Sequence, residues 1–150
     1  MTKKPYKLLV VDIDGTLLDK SGSISPENAE ALAKACQRGI QVCLSTGRMI
    51  QACYGIIREL GLDGYHIFFD GALVSNPASG EEVYARPLAR ELVREIVEFA
   101  HREGMDLDLY SVHDYFVERE SWISEIRRRF FGLQPTVRDF NQVWPRERIL

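Results

Sequence analysis

The sequence predicts an α/β fold, with a parallel-sheet core followed by the start of a second, α+β unit. Three observations lead there. Apolar runs of strand length occupy residues 8–11, 40–44 and 65–69, and each runs into a polar cluster. The segments between them carry helical periodicity, and strands alternating with helices imply βαβ units and right-handed crossovers. After the turn cluster Asn76-Pro77-Ala78-Ser79-Gly80 the texture changes to a hairpin, a helix and short alternating strands. Residues 1–80 therefore read as the N-terminal part of a core, and residues 81–150 as part of a second unit.

Each element has its own signal. Leu8-Leu9-Val10-Val11 reads as a buried strand that ends in Asp12-Ile13-Asp14-Gly15-Thr16. Side chains alternate along a strand, so Asp12 and Asp14 share a side if the strand continues; Gly15 places Asp14 in a turn instead. Residues 17–24 read as a short hairpin-like segment. Ser25-Pro26-Glu27 is a helix start, with Ser as N-cap, Pro in the first turn and Gly39 after the last turn. Ala29, Leu32, Ala33 and Cys36 form its apolar stripe. Strand 40–44 leads into Ser45-Thr46-Gly47-Arg48, and a helix follows with Ile50, Cys53, Ile57 and Leu60 on one face. Strand 65–69 ends in Asp70-Gly71-Ala72, and residues 73–75 and 82–85 form a hairpin. A helix over 89–103 turns Leu92, Val93, Ile96, Val97 and Ala100 inward, with Gly104 closing it. Strands over 106–110 and 115–118 and a helix over 121–131 come next. Residues 132–150 show no clear period.

The totals exclude several function classes. At 150 residues the chain can bury a sizeable core. Its net charge of −3 offers no basic excess for a nucleic-acid backbone, so no nucleic-acid partner is expected. No apolar run reaches the length of a membrane span, and the charged Met1-Thr2-Lys3-Lys4-Pro5 is followed by no signal-peptide core. Cys36, Cys43 and Cys53 lack metal-ligand spacing and read as reduced core thiols of a cytoplasmic protein. His66, His101 and His113 also lack ligand spacing. Arg127-Arg128-Arg129 reads as a solvated helix face, with an acidic-partner site as the alternative.

The chemistry concentrates where strands end. In open α/β sheets, ligands bind at the C-terminal ends of the strands. Two acids held together there repel unless a cation or shared proton offsets the charge, which points to a metal. A carboxylate can attack a phosphoryl group, and a second one can protonate the leaving oxygen and then activate water. The plainer alternative is a turn whose acids act only as caps. Thr46 reads either as a phosphate contact or as a helix N-cap. Arg48 reads either as a phosphate-side guanidinium or as a solvated helix-start residue.

Asp12-Ile13-Asp14-Gly15-Thr16-Leu17 resembles the DxDGT signature of the haloacid dehalogenase-like (HAD) phosphohydrolases. Leu44-Ser45-Thr46-Gly47-Arg48 resembles the TGR form of that family's second motif. Asp70-Gly71-Ala72-Leu73-Val74 resembles the NGA segment of the Cof-type sugar-phosphate phosphatases, with Asp in place of the usual Asn. The resemblance implies a Rossmann-like core and the start of an inserted α/β cap. It implies a Mg²⁺-dependent phosphatase acting on a small phosphorylated metabolite through an aspartyl phosphate. Asp12 would be the nucleophile and Asp14 the general acid/base. The Asp12 carboxylate and the Asp14 carbonyl would bind Mg²⁺. Thr46 would contact the phosphoryl group, with Gly15, Thr16, Gly47 and Arg48 around it. Asp70 and Gly71 would lie on the substrate side, or Asp70 would merely close a turn.

The family pattern also requires a later lysine and a late acidic cluster, which these 150 residues do not carry. The expectation is an incomplete core whose exposed strand edge favours a homo-oligomer or a complementing chain. The competing readings are a non-catalytic module that binds a partner and a receiver-like domain phosphorylated at Asp70.

Overall fold

The structure, a computed structural model, describes residues 6–150. The N-terminal stretch 1–5, read above as a charged lead-in and not a secretion signal, lies outside the described residues. The chain packs as two compact units. One comprises residues up to Arg48 together with Cys53–Ala85; the other comprises Met49–Ala52 and Arg86–Leu150. No described helix is long and apolar enough to cross a membrane.

The first unit is built on a five-stranded sheet in the order β1-β2-β3-β4-β5: β1 Leu8–Asp12, β2 Gln41–Ser45, β3 His66–Phe68, β4 Leu73–Asn76 and β5 Glu81–Ala85. The first three strands are parallel, as the alternating pattern predicts, and β4 and β5 add an antiparallel hairpin to the same sheet. Between β1 and β2 runs α1, Pro26–Gln37, capped by Ser25 through the Asn28 amide as its sequence foretells. At the sheet's centre Val42, Cys43, Leu44, Phe68 and Leu73 are all buried.

Two expectations fail here together. β1 is not a buried strand. It lies at the sheet's edge, with Leu8 55% exposed and Val10 48% exposed on one face and Leu9 38% exposed on the other. On α1 only Leu32 is buried, while Ala33 and Cys36 are exposed. An apolar run tells what a strand can bury, but burial itself depends on a neighbour, and none of the described elements flanks β1 opposite β2.

The segment after β2 also departs from expectation. Ile50–Cys53 forms a 3-10 turn before α2, Tyr54–Glu59, and the buried residues are Ile50, Cys53 and Ile56, with Ile57 and Leu60 only half-buried. Among the described residues no side chain caps this start. β3 is shorter than read, because Phe69 and Asp70 leave the extended conformation.

His66 is completely buried in β3. Its Nδ1 accepts from the Leu44 amide at 3.1 Å, which puts the proton on Nε2, and that atom has no partner among the described residues. Burial lowers its pKa, opposed by the charge of Asp63. The unfolded chain therefore binds a proton near pH 6.5 that the folded unit resists. His66 stabilisation is complete above that pH and is lost as pH falls toward the folded value. We expect acid to weaken the first unit by up to about 1.4 kcal/mol per pH unit below 6.5. In His66→Gln, urea unfolding followed between pH 7 and 5 should lose this component of the slope.

The second unit holds α3 Arg90–Glu103, α4 Trp122–Phe131 and a three-stranded sheet of β6 Leu109–Tyr110, β7 Tyr115–Val117 and β8 Thr136–Val137. Its core gathers Val93, Val97, Leu109, Phe116, Phe140, Val143 and Ile149. Leu92, predicted inward, is 45% exposed. β8 and α5, Phe140–Val143, went unseen in the sequence because two and four residues are too short to show a period. The arginine run is not a merely solvated face. Arg127 pairs with Asp108 at 2.7 Å beneath two tyrosine rings, and Arg128 bridges Glu120 and Glu125, each at 2.5 Å.

Candidate active site

At the end of β1 the chain wraps around one carbonyl. The Ile13 oxygen accepts from the amides of Thr16, Leu17 and Leu18 at 3.4, 3.0 and 2.9 Å. Ile13 itself is fully buried, and Gly15 supplies the positive φ of 79° that the turn requires. Anchoring Ile13 inward leaves the side chains of Asp12 and Asp14 exposed. Thr16 Oγ1 donates to Asp12 Oδ2 at 2.8 Å, which orients that carboxylate and engages one of its oxygens.

The parallel register of β1 with β2 sets Asp12 beside Ser45, so the next residue, Thr46, continues from the neighbouring strand end. Thr46 is 5% exposed. Its Oγ1 accepts from the Arg48 amide at 3.1 Å and so closes a local turn instead of capping a helix; the hydroxyl proton stays available to donate.

Arg48 reaches back across the turn to Asp14. Nε and Nη2 donate to the two carboxylate oxygens at 2.8 and 2.5 Å, a bidentate fork. The Arg48 side chain is 14% exposed and that of Asp14 57%, so the pair is half sheltered. Close by, Cys53 is fully buried, and burial pushes its thiol up to about 12, with the Arg48 charge opposing. It is an inert neighbour and not a nucleophile.

The third strand end contributes Asp70. Phe69 and Asp70 adopt consecutive left-handed conformations, φ 50° and 51°, which cost about 1–2 kcal/mol for Phe and less for Asp, a residue that visits this region. Two backbone bonds hold them: Phe69 N–H to the Arg48 carbonyl at 3.3 Å, and Asp70 N–H to the Thr46 carbonyl at 3.1 Å. The Asp70 carboxylate lies against Gly47, where an added Cβ would come within 2.8 Å of Oδ1 and 2.9 Å of Oδ2. Gly71 follows with φ 95°.

Asp12, Asp14, Gly15, Thr16, Thr46, Gly47, Arg48, Asp70 and Gly71 thus all lie at the C-terminal ends of three parallel strands in one unit. The arginine fork on Asp14 and the seat of Asp70 on Gly47 are the two features the sequence reading missed. Both join distant segments, and no local pattern could signal them. For a metal, the donors are of one kind. Among the described residues no three His, Cys, Asp or Glu side chains form a cage. Mg²⁺ needs no such cage, since it binds through one or two carboxylate or carbonyl oxygens plus water and substrate phosphate. The oxygen-only set at Asp12 and Asp14 fits it in chemistry.

Residues 9–145 match the haloacid dehalogenase-like hydrolase family. An HMP-PP phosphatase of Yersinia pestis is 30% identical over 114 residues, covering 76% of this chain and 41% of the relative. A haloacid dehalogenase-like hydrolase from Bacteroides thetaiotaomicron superposes with a TM-score of 0.81 at 25% identity, covering 92% of this chain and 54% of that one. A sugar phosphatase of HAD subclass IIB superposes with a TM-score of 0.80 at 26% identity, covering 96% and 56%. The chain therefore spans about half the length of these relatives. With the family match running through nearly its whole length, the chain belongs to the haloacid dehalogenase-like hydrolases.

Proposed function

We propose that this chain supplies the nucleophile half of a Mg²⁺-dependent phosphatase acting on a small phosphorylated metabolite, such as a sugar phosphate. The carrying observation is the Asp12 carboxylate, oriented by Thr16 at the end of β1 and set beside the Thr46 strand end by the β1–β2 register. In this reading an Asp12 oxygen attacks phosphorus, and the ester P–O bond breaks. The leaving oxygen takes a proton from Asp14, and an aspartyl phosphate remains. Asp14 then takes a proton from water as the water oxygen attacks phosphorus, which releases phosphate and restores Asp12. Arg48 donates one hydrogen bond to each oxygen of Asp14, which leaves a lone pair on each oxygen to carry the transferred proton. The Thr46 hydroxyl and the amides around Gly15 and Gly47 would hold the phosphoryl oxygens, with Thr16 and Arg48 beside them. The Asp12 carboxylate and Asp14 carbonyl would hold Mg²⁺, whose chemistry is to neutralise charge on the phosphoryl oxygens. The unit containing residues 86–150 would be the start of a cap that helps choose the substrate, and the reduced thiols fit a cytoplasmic setting.

A second reading has its own support. The chain covers about half of its relatives, and β1 exposes apolar side chains on both faces at an open edge. On that reading these 150 residues self-associate or need a complementing chain, and alone they are weakly active or inactive. Sedimentation velocity with a parallel p-nitrophenyl phosphate assay in Mg²⁺ tests it. Association with weak turnover is expected; a monodisperse monomer with full Mg²⁺-dependent activity would defeat it.

A further inference from the structure

Asp70 is the carboxylate that the proposed chemistry leaves without a task. It takes no side-chain hydrogen bond among the described residues, although its backbone is bound firmly to the Thr46–Arg48 turn. Phe69 and Asp70 are the only non-glycine residues with positive φ among the described residues. Strain of this kind persists where surrounding structure enforces it and is concentrated at ligand-contacting positions. Gly47 completes the seat, because the space its absent Cβ would fill is occupied by the Asp70 carboxylate. The side chain is therefore exposed, unpartnered among the described residues, and held beside the turn that carries Thr46 and Arg48.

The chemistry of a carboxylate limits what it can face. An ionised Asp offers acceptors only, whereas an Asn would offer donors as well. Phosphoryl oxygens are themselves anionic acceptors, so Asp70 cannot contact them without repulsion. The Arg48 charge nearby is already paired with the Asp14 carboxylate through its fork. What an acceptor can face at this position is the alcohol part of a phosphate ester, provided that part carries donors.

We propose that Asp70 is a specificity-determining residue that accepts hydrogen bonds from hydroxyl or amino groups of the substrate's alcohol part, selecting donor-rich phosphate esters over apolar or aryl ones. The inference rests on the phosphate site proposed above and adds the class of group bound next to it. It makes Asp70 a discriminator and not a phosphate ligand, and it assigns the left-handed pair the task of aiming that carboxylate.

The test is a binding comparison on the full chain with Mg²⁺ present, by titration calorimetry. The ligands are sorbitol 6-phosphate, hexyl phosphate and inorganic phosphate; the first two share chain length and charge and differ in hydroxyls. Wild type should prefer sorbitol 6-phosphate over hexyl phosphate by about ten- to a hundredfold, the range for hydrogen bonds to a charged group. Asp70→Gly keeps the left-handed backbone accessible and deletes the acceptor; it should erase the preference and leave inorganic phosphate bound at least as tightly. Asp70→Asn, which also tolerates this backbone, should retain part of the preference and tighten inorganic phosphate. An unchanged preference in Asp70→Gly would overturn the inference, as would an equal loss for all three ligands, the mark of a structural role. Loss of Mg²⁺ dependence in Asp70→Gly would assign the carboxylate to the cation and overturn it too. If wild type binds none of the three, the phosphate-site reading fails and this inference falls with it; if it binds phosphate without discriminating, this inference alone fails.

Discussion

Replacing Asp12 by Asn should lower any Mg²⁺-dependent phosphomonoester hydrolysis by this chain about a thousandfold or more, equivalent to roughly 4 kcal/mol of barrier. The amide keeps the size of the side chain and can still accept from Thr16, so the fold should persist. What disappears is the anionic oxygen that forms the bond to phosphorus. Because the nucleophile cannot be replaced by a neighbour without moving the attack geometry, the loss should appear in kcat and not merely in KM. The assay is initial-rate p-nitrophenol release with and without Mg²⁺, alongside far-ultraviolet circular dichroism to show that the variant is folded. Turnover equal to wild type would remove Asp12 from the chemistry.

The largest stability effect should come from Phe68→Ala. Phe68 is completely buried, pairs with the equally buried Leu73 across β3 and β4, and meets the His66 ring edge-on at 6.2 Å. Truncating a buried Phe costs about 3–5 kcal/mol, counting both the lost transfer energy and the cavity left behind. A small protein's whole stability is about 5–15 kcal/mol, so this one change should bring the first unit near the edge of unfolding. The effect extends to the site, because Phe68 immediately precedes the left-handed pair at Phe69 and Asp70. A loosened β3 end no longer enforces a conformation that itself costs free energy. Urea denaturation should show a lowered midpoint. A loss below about 1 kcal/mol would mean that the ring is not packed as described.

Much of this strand-end arrangement was legible from sequence because its parts are local. The turn after β1 depends on a buried Ile13, a Gly15 able to take positive φ and a Thr16 four residues from Asp12, all within one short stretch. The strand ends at Thr46 and Asp70 follow from apolar runs that stop at polar clusters. The parallel order of β1, β2 and β3 follows from the alternation of strands and helices. What was not legible depends on packing between distant segments. Arg48 and Asp14 are 34 residues apart, and either could equally have faced solvent. An exposed edge was expected, but not that β1 would carry it, because apolar sequence records a capacity for burial; among the described residues Leu8, Leu9 and Val10 lack the neighbour that would use it. In the second unit, α5 brings Phe140 and Val143 into the core from a segment too short to announce itself.

Asp12 is the residue that becomes phosphorylated in the proposed reaction, and rapid quenching traps that species. The chain is mixed with p-nitrophenyl phosphate and Mg²⁺, quenched in acid within milliseconds to seconds, digested with pepsin and analysed by mass spectrometry. One added phosphoryl group is expected on the peptide containing residues 8–19, localised to Asp12 and absent from Asp12→Asn. A phosphoryl group localised to Asp14 or Asp70 would contradict it, as would turnover that proceeds with no phosphorylated peptide at any quench time.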